Sequence, residues 1–175
     1  MENTVKAKKI TRQDVNLNIV EITLLSADEF ENTKENIPDR MHFSSWWLRT
    51  QCPADVNRAG VVSCYTGDLD YYYMQGNDIG VRPALRIKNL NSANLKAGDK
   101  FELSGHEWTV ISNELALCDS IVGHTCFRKS WNRQDVSFKK RAEDTNTYEV
   151  SGIKIWLENW AADHGIIVRE VPVTA

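Results

Sequence analysis

The sequence predicts an α+β fold, a mostly antiparallel sheet carrying two helices. Three observations carry this expectation. Short runs of branched and aromatic residues recur along the chain between turn residues, as strands require. A capping-box pattern at Ser26-Ala27-Asp28-Glu29 marks one helix start. Near the end, Ile153, Trp156, Leu157, Trp160 and Ala161 recur on one helical face.

In chain order, residues 1–17 contain Lys6, Lys8, Lys9 and Arg12 in a polar run and read as a flexible N-terminal arm. Residues 18–175 read as a single domain. Asn-Ile-Val-Glu-Ile-Thr-Leu-Leu at 18–25 is a strand pattern, and the helix that Ser26 caps should stop before Pro38. Ser-Ser-Trp-Trp-Leu at 44–48 reads as a buried strand, because tryptophan contributes large apolar area. Residues 61–66 and 69–75 read as a hairpin around Gly67-Asp68, with glycine supplying the positive backbone angle.

Residues 81–87 form the next expected strand, with Pro83 marking an edge or a bulge because it lacks a backbone donor. A polar connection at 89–98 leads into a meander over 100–103, 107–112 and 115–122. Residues 129–147 are charged and poor in apolar side chains, the composition of a long loop. The last helix spans 152–164, capped by Ser151 and ended by Gly165, and 166–173 would close the sheet as a strand.

Composition narrows the functional classes. The 175 residues are 42% hydrophobic and 26% charged, with a formal net charge of -3, so no global positive field exists to condense on nucleic acid or anionic lipid. No apolar stretch follows the early lysines as a signal peptide would require, and no eighteen-residue apolar window spans a membrane. The expected compartment is the cytoplasm. Cys52, Cys64, Cys118 and Cys126 then read as reduced thiols, with a facultative Cys52–Cys64 bridge left open.

The most informative layout is the pair Trp46-Trp47-Leu48-Arg49 and Gly80-Val81-Arg82-Pro83-Ala84-Leu85 with a polar insert between them. It reads as a stiff scaffold presenting a recognition surface. The insert carries Asp55, Asn57, Arg58, Tyr65, Asp68, Asp70, Tyr71, Tyr72, Tyr73, Gln75, Asn77 and Asp78. Tyrosine offers rigid contact area with a polar tip, and Asn, Gln and Asp add adaptable hydrogen bonds. The candidate partner-binding residues are Asp68, Asp70, Tyr71, Tyr72, Tyr73, Gln75 and Asn77; strand alternation also allows one of the tyrosines to be core. Arg49 and Arg82 sit among apolar neighbours and need carboxylate or carbonyl partners, for which Asp28 and Glu29 are candidates.

These segments resemble a bacterial and phage domain family of unknown function, itself similar to C-type lectin-like folds and to formylglycine-generating enzymes. The resemblance rests on Leu24-Leu25-Ser26 with Glu29, the WWLR and GVRPAL segments, the G-x-x-W-x-V pattern at 105–110 and the S-x-I-x-x-W-L-x pattern at 151–158. The last two precede the others in the family and follow them here, so the resemblance implies a circularly permuted C-type lectin-like domain. Such folds host sugar binding, protein binding and catalysis alike.

No catalytic residue is singled out. His42, His106 and His164 stand apart from any nucleophile with a matching acid, and the paired thiols of formylglycine generation do not align. Asp68, Asp70, Asn77 and Asp78 lack a calcium-loop pattern, and Cys118, His124 and Cys126 lack standard zinc spacing, so no metal or cofactor is expected. The expected function is non-enzymatic recognition of a protein partner by the tyrosine-rich hairpin, as an inhibitor or adaptor of a phage or mobile element. Carbohydrate binding or phage surface recognition is the alternative.

Overall fold

The computed structural model describes residues 4–128 and 147–168. Among these residues the chain is α+β, with two mostly antiparallel sheets and two α-helices. The strands are β1 (Val5–Lys9), β2 (Asp14–Leu17), β3 (Ile19–Thr23), β4 (Trp46–Cys52), β5 (Asp55–Val62) and β6 (Leu69–Tyr73). They continue as β7 (Gly80–Val81), β8 (Ala84–Ile87), β9 (Lys100–Leu103), β10 (His106–Val110), β11 (Leu115–Cys118) and β12 (Gly123–His124). The helices are α1 (Ala27–Thr33) and α2 (Gly152–Asp163).

The larger sheet runs β2-β1-β9-β10-β11-β8-β3. Its two end strands, β2 and β3, are separated in the chain by Asn18 alone, so the sheet curls until both ends meet in one bent stretch. Asn89 holds the bend: its Oδ1 accepts from the Asn18 amide at 2.7 Å and its Nδ2 donates to the Asn16 carbonyl at 2.8 Å. The expected flexible arm is therefore corrected. Val5 and Ala7 alternate with lysines and are buried, a half-buried strand pattern that pairs β1 with both β2 and β9.

The smaller sheet runs β12-β7-β4-β5-β6, with β4 and β7 parallel. Trp46 and Trp47 are both fully buried, one in each of two core clusters, because neighbouring strand residues face opposite ways. Each ring removes on the order of 200 Å² from water, about 5 kcal/mol of transfer free energy at ~25 cal/mol per Å². The strand expected at 44–48 extends to Cys52, and β5 begins at Asp55, so most of the supposed insert is regular sheet.

The strand expected at 81–87 divides between the two sheets. Gly80 and Val81 pair in the smaller one, Ala84 to Ile87 in the larger, and Arg82-Pro83 makes the crossing. Proline cannot donate to a ladder, which suits the point where pairing changes partners. Gly80 also admits close approach: a Cβ there would sit 2.7 Å from an Ile121 methyl.

Both helices follow the sequence. Ser26 Oγ accepts from the Glu29 amide at 3.0 Å while Glu29 Oε1 accepts from the Ser26 amide at 2.9 Å, and a 3-10 turn at Lys34–Asn36 ends before Pro38. In α2, Ser151 caps the start, Ile153, Leu157, Trp160 and Ala161 are buried, and Gly165 follows at φ +69. The meander over β9, β10 and β11 also stands as expected. Residues 166–168 are not in a strand, Thr147 of the loop expected at 129–147 begins a 3-10 turn, and the remainder of both segments lies outside the described residues.

Candidate functional site

β6 is the outer strand of the smaller sheet, paired with β5 in the register Arg58↔Tyr73, Ala59↔Tyr72 and Gly60↔Tyr71. Its sequence, Leu-Asp-Tyr-Tyr-Tyr, leaves Tyr72 42% and Tyr73 51% exposed, while Tyr71 is half-buried. Alternation sends Tyr71 and Tyr73 to one face and Tyr72 to the other. The three tyrosines therefore do not make one continuous patch.

On the first face Tyr73 is held by its cross-strand partner. Arg58 Nη2 donates to the Tyr73 hydroxyl at 2.9 Å, its guanidinium carbon lies 4.3 Å from the ring centroid, and Asp55 ion-pairs with it at 3.2 Å. The hydrogen bond to Tyr73 is the main reason the Arg58 pKa is raised above its ordinary value. Burial pushes the Tyr71 hydroxyl up as well, with Cys52 and Asp28 adding to the shift. On the second face Tyr72 lies against Gly76, where a Cβ would come within 2.7 Å of the ring. Glycine there lets the turn after β6 close over the tyrosine.

The remaining candidates divide between structure and surface. Asp68 is exposed but tied down, at 3.4 Å from Arg40 and 3.8 Å from Lys34, and its carbonyl accepts from the Ser63 amide at 2.9 Å. Asp70 accepts from the Tyr71 amide at 2.8 Å. That bond blunts the backbone edge of β6 against further strand pairing, so recognition here would use rings more than main chain. Gln75 is half-buried, and Asn77 and Asp78 are exposed in the next turn.

The buried charges behave as elementary electrostatics requires. Glu29 joins Arg49 at 2.5 Å and Arg86 at 2.8 Å. Burial alone would raise its pKa, but those two hydrogen bonds and the Ser26 amide overcome it and hold the carboxyl near 2, against an ordinary 4.5. Arg82 is fully buried and finds carbonyls: Cys118 at 2.7 Å, Pro38 at 2.7 Å and Asp39 at 3.2 Å, with its guanidinium over Trp46 at 4.9 Å. Burial lowers its pKa to about 10. Both arginines are structural pins, and neither lines an anionic pocket.

The Cys52–Cys64 bridge left open by sequence is ruled out by register. Trp46 pairs with Val62 and Cys52 with Asp55, so Cys64, whose amide donates to Ser45 Oγ, lies at the far end of β4 from Cys52. Six strand residues separate the two ends by roughly 20 Å, well beyond disulfide reach. Cys118 is a buried free thiol, pushed up to about 11 by burial. Among the described residues no group of three or more His, Cys, Asp and Glu could hold a metal ion.

Sequence reasoning missed one loop. Residues 40–44 present Met41 at 60% and Phe43 at 75% exposure beside Tyr65 at 89% in the β5–β6 connection. Ser44 Oγ meets His124 Nε2 at 3.0 Å, and the Phe43 and His124 rings lie 5.9 Å apart. Met-His-Phe in an otherwise polar stretch was the available signal, but the contact with His124 depends on β12 folding back beside β7. A serine–histidine pair with no carboxylate on the imidazole among the described residues is half of a nucleophilic constellation. The chain matches no known family model, curated protein or solved structure, so the geometry alone carries the functional argument.

Proposed function

We propose that this chain is a non-enzymatic recognition protein that binds a protein partner through β6 and its adjoining loops. One observation carries the reading: Tyr73 stands half-exposed on an outer strand while Arg58 fixes its ring from the opposite strand. A pre-positioned aromatic ring loses little entropy on binding, and tyrosine and arginine are favoured at the energetic centres of interfaces. Phe43, Met41 and Tyr65 supply further exposed apolar area on neighbouring loops.

The same proposal takes the fold as a circularly permuted C-type lectin-like domain. Support comes from β4 and β7, which carry the WWLR and GVRPAL beginnings and lie side by side with Trp46 opposite Gly80. The setting we propose is a bacterial cytoplasm, with the protein acting as an inhibitor or adaptor of a phage or mobile element.

The test is affinity capture from the native host with mass spectrometry, repeated with Tyr71→Ala, Tyr72→Ala and Tyr73→Ala. A partner that is retained by the parent chain and lost by Tyr73→Ala supports the reading. A partner that survives all three substitutions refutes it. A glycan-array signal abolished by Tyr72→Ala or Tyr73→Ala would transfer the surface to carbohydrate recognition.

A further inference from the structure

β3 ends the strand order of the larger sheet, so one side of its backbone meets no other described strand. Along that side, between β3 and α2, runs a cleft of about 350 Å³. Val20, Glu21, Ile22 and Thr23 all border it. Val20 sits in a bulge, but from Glu21 to Thr23 successive side chains point to opposite faces, so these three can border one space only where it follows the backbone edge. An open edge of this kind is a template for another extended chain.

The walls specify the occupant further. Glu21, Glu149 and Glu158 border the cleft with one lining cation, Lys154, shared by Glu149 at 3.0 Å and Glu158 at 3.2 Å, while Glu21 also meets Arg86 at 3.3 Å. Ala161 and Ile166 contribute apolar surface at the same wall. Tyr148 also lines the cleft, is 4% exposed, and turns its buried hydroxyl toward Thr23.

We infer that this cleft docks an extended segment of a partner protein, one bearing lysine or arginine beside small apolar residues. The segment adds to β3 as a further strand. Its cationic side chains meet the three carboxylates, and its apolar side chains meet Ile22, Ala161 and Ile166. Charge complementarity selects a basic segment over an acidic one, and the backbone edge selects a peptide over a small cation. This site is separate from the β6 tyrosines and stands whether or not they bind a protein.

The experiment is amide hydrogen exchange and NMR titration of the full chain with three probes: acetyl-Lys-Val-Lys-Val-Lys-Val-amide, its Glu-Val counterpart and spermine. The expected result is protection, by the lysine peptide alone, of those amides between Val20 and Thr23 that point away from β8. N-methylation of alternate peptide amides should abolish that protection, and joint Glu149→Lys and Glu158→Lys substitution should weaken binding about tenfold. Tyr73→Ala should leave it unchanged. Equal shifts with spermine, binding that tolerates N-methylation, or no response to any probe would overturn the proposal. So would edge amides already protected in the free chain, since Val168 borders the cleft and residues 169–175 would then be the occupant.

Discussion

Substituting Glu29 by Gln removes the carboxylate on which α1, β4 and β8 converge. Its side chain is 19% exposed and receives Arg49 at 2.5 Å, Arg86 at 2.8 Å and the Ser26 amide at 2.9 Å. Relative to its ordinary 4.5, a folded-state pKa of about 2 is a difference of about 2.5 units. At about 1.36 kcal/mol per unit this amounts to roughly 3 kcal/mol, reduced to about 2 by solvent screening at the exposed part of the cluster. Because the folded pKa is depressed, this stability is fully present above pH 4.5 and is lost as the pH falls toward 2. Urea unfolding across that window should show the parent chain losing about 2 kcal/mol more than Glu29→Gln, which starts lower at neutral pH. Parallel pH curves for the two proteins would refute the assignment of Glu29 as the electrostatic pin of this junction.

Arg82→Met should cost about 3 kcal/mol or more in chemical unfolding, because the carbonyls of Pro38, Asp39 and Cys118 lose their donor together. Tyr148→Phe should raise stability by about 1 kcal/mol, since its buried hydroxyl has no well-formed hydrogen bond among the described residues; a loss in thermal unfolding would mean that Thr23, which it faces, satisfies it. His106 has its pKa lowered by burial and by the neighbouring His164, so its neutral form is the one the fold favours. Its contribution is complete above about pH 6.5 and declines as the pH falls below that, where the unfolded chain takes up the proton first. His106→Gln should therefore flatten the stability profile between pH 7 and 5, and an unchanged slope would refute this.

Local signals carried a large part of the fold. The Ser26 capping box, the one-face periodicity of α2 and the meander from Lys100 to Cys118 are decided by residues close in sequence, and the structure matches them. Strand alternation also separated Tyr72 from Tyr71 and Tyr73 before any coordinates. The hairpin expected over 61–66 and 69–75 is present as β5 and β6, whereas polarity misled where it stood for exposure: the lysines of β1 lie on the open face of a paired strand, and β5 starts already at Asp55.

From the chain alone came the element types, the need of Arg49 and Arg82 for partners, and the concentration of tyrosine between the two tryptophan- and arginine-bearing segments. Only the folded arrangement decided that β2 and β3 close one sheet across a single residue, and that Arg82-Pro83 crosses between sheets. It alone brought Arg58 over Tyr73, Ser44 to His124, and α2 alongside the open side of β3. The reason is physical: caps and periodicity follow from neighbours within a few residues, whereas strand order and register are set by which apolar faces can be buried together. Those pairings join residues up to 94 positions apart, as between Lys8 and Glu102, and no local pattern encodes them.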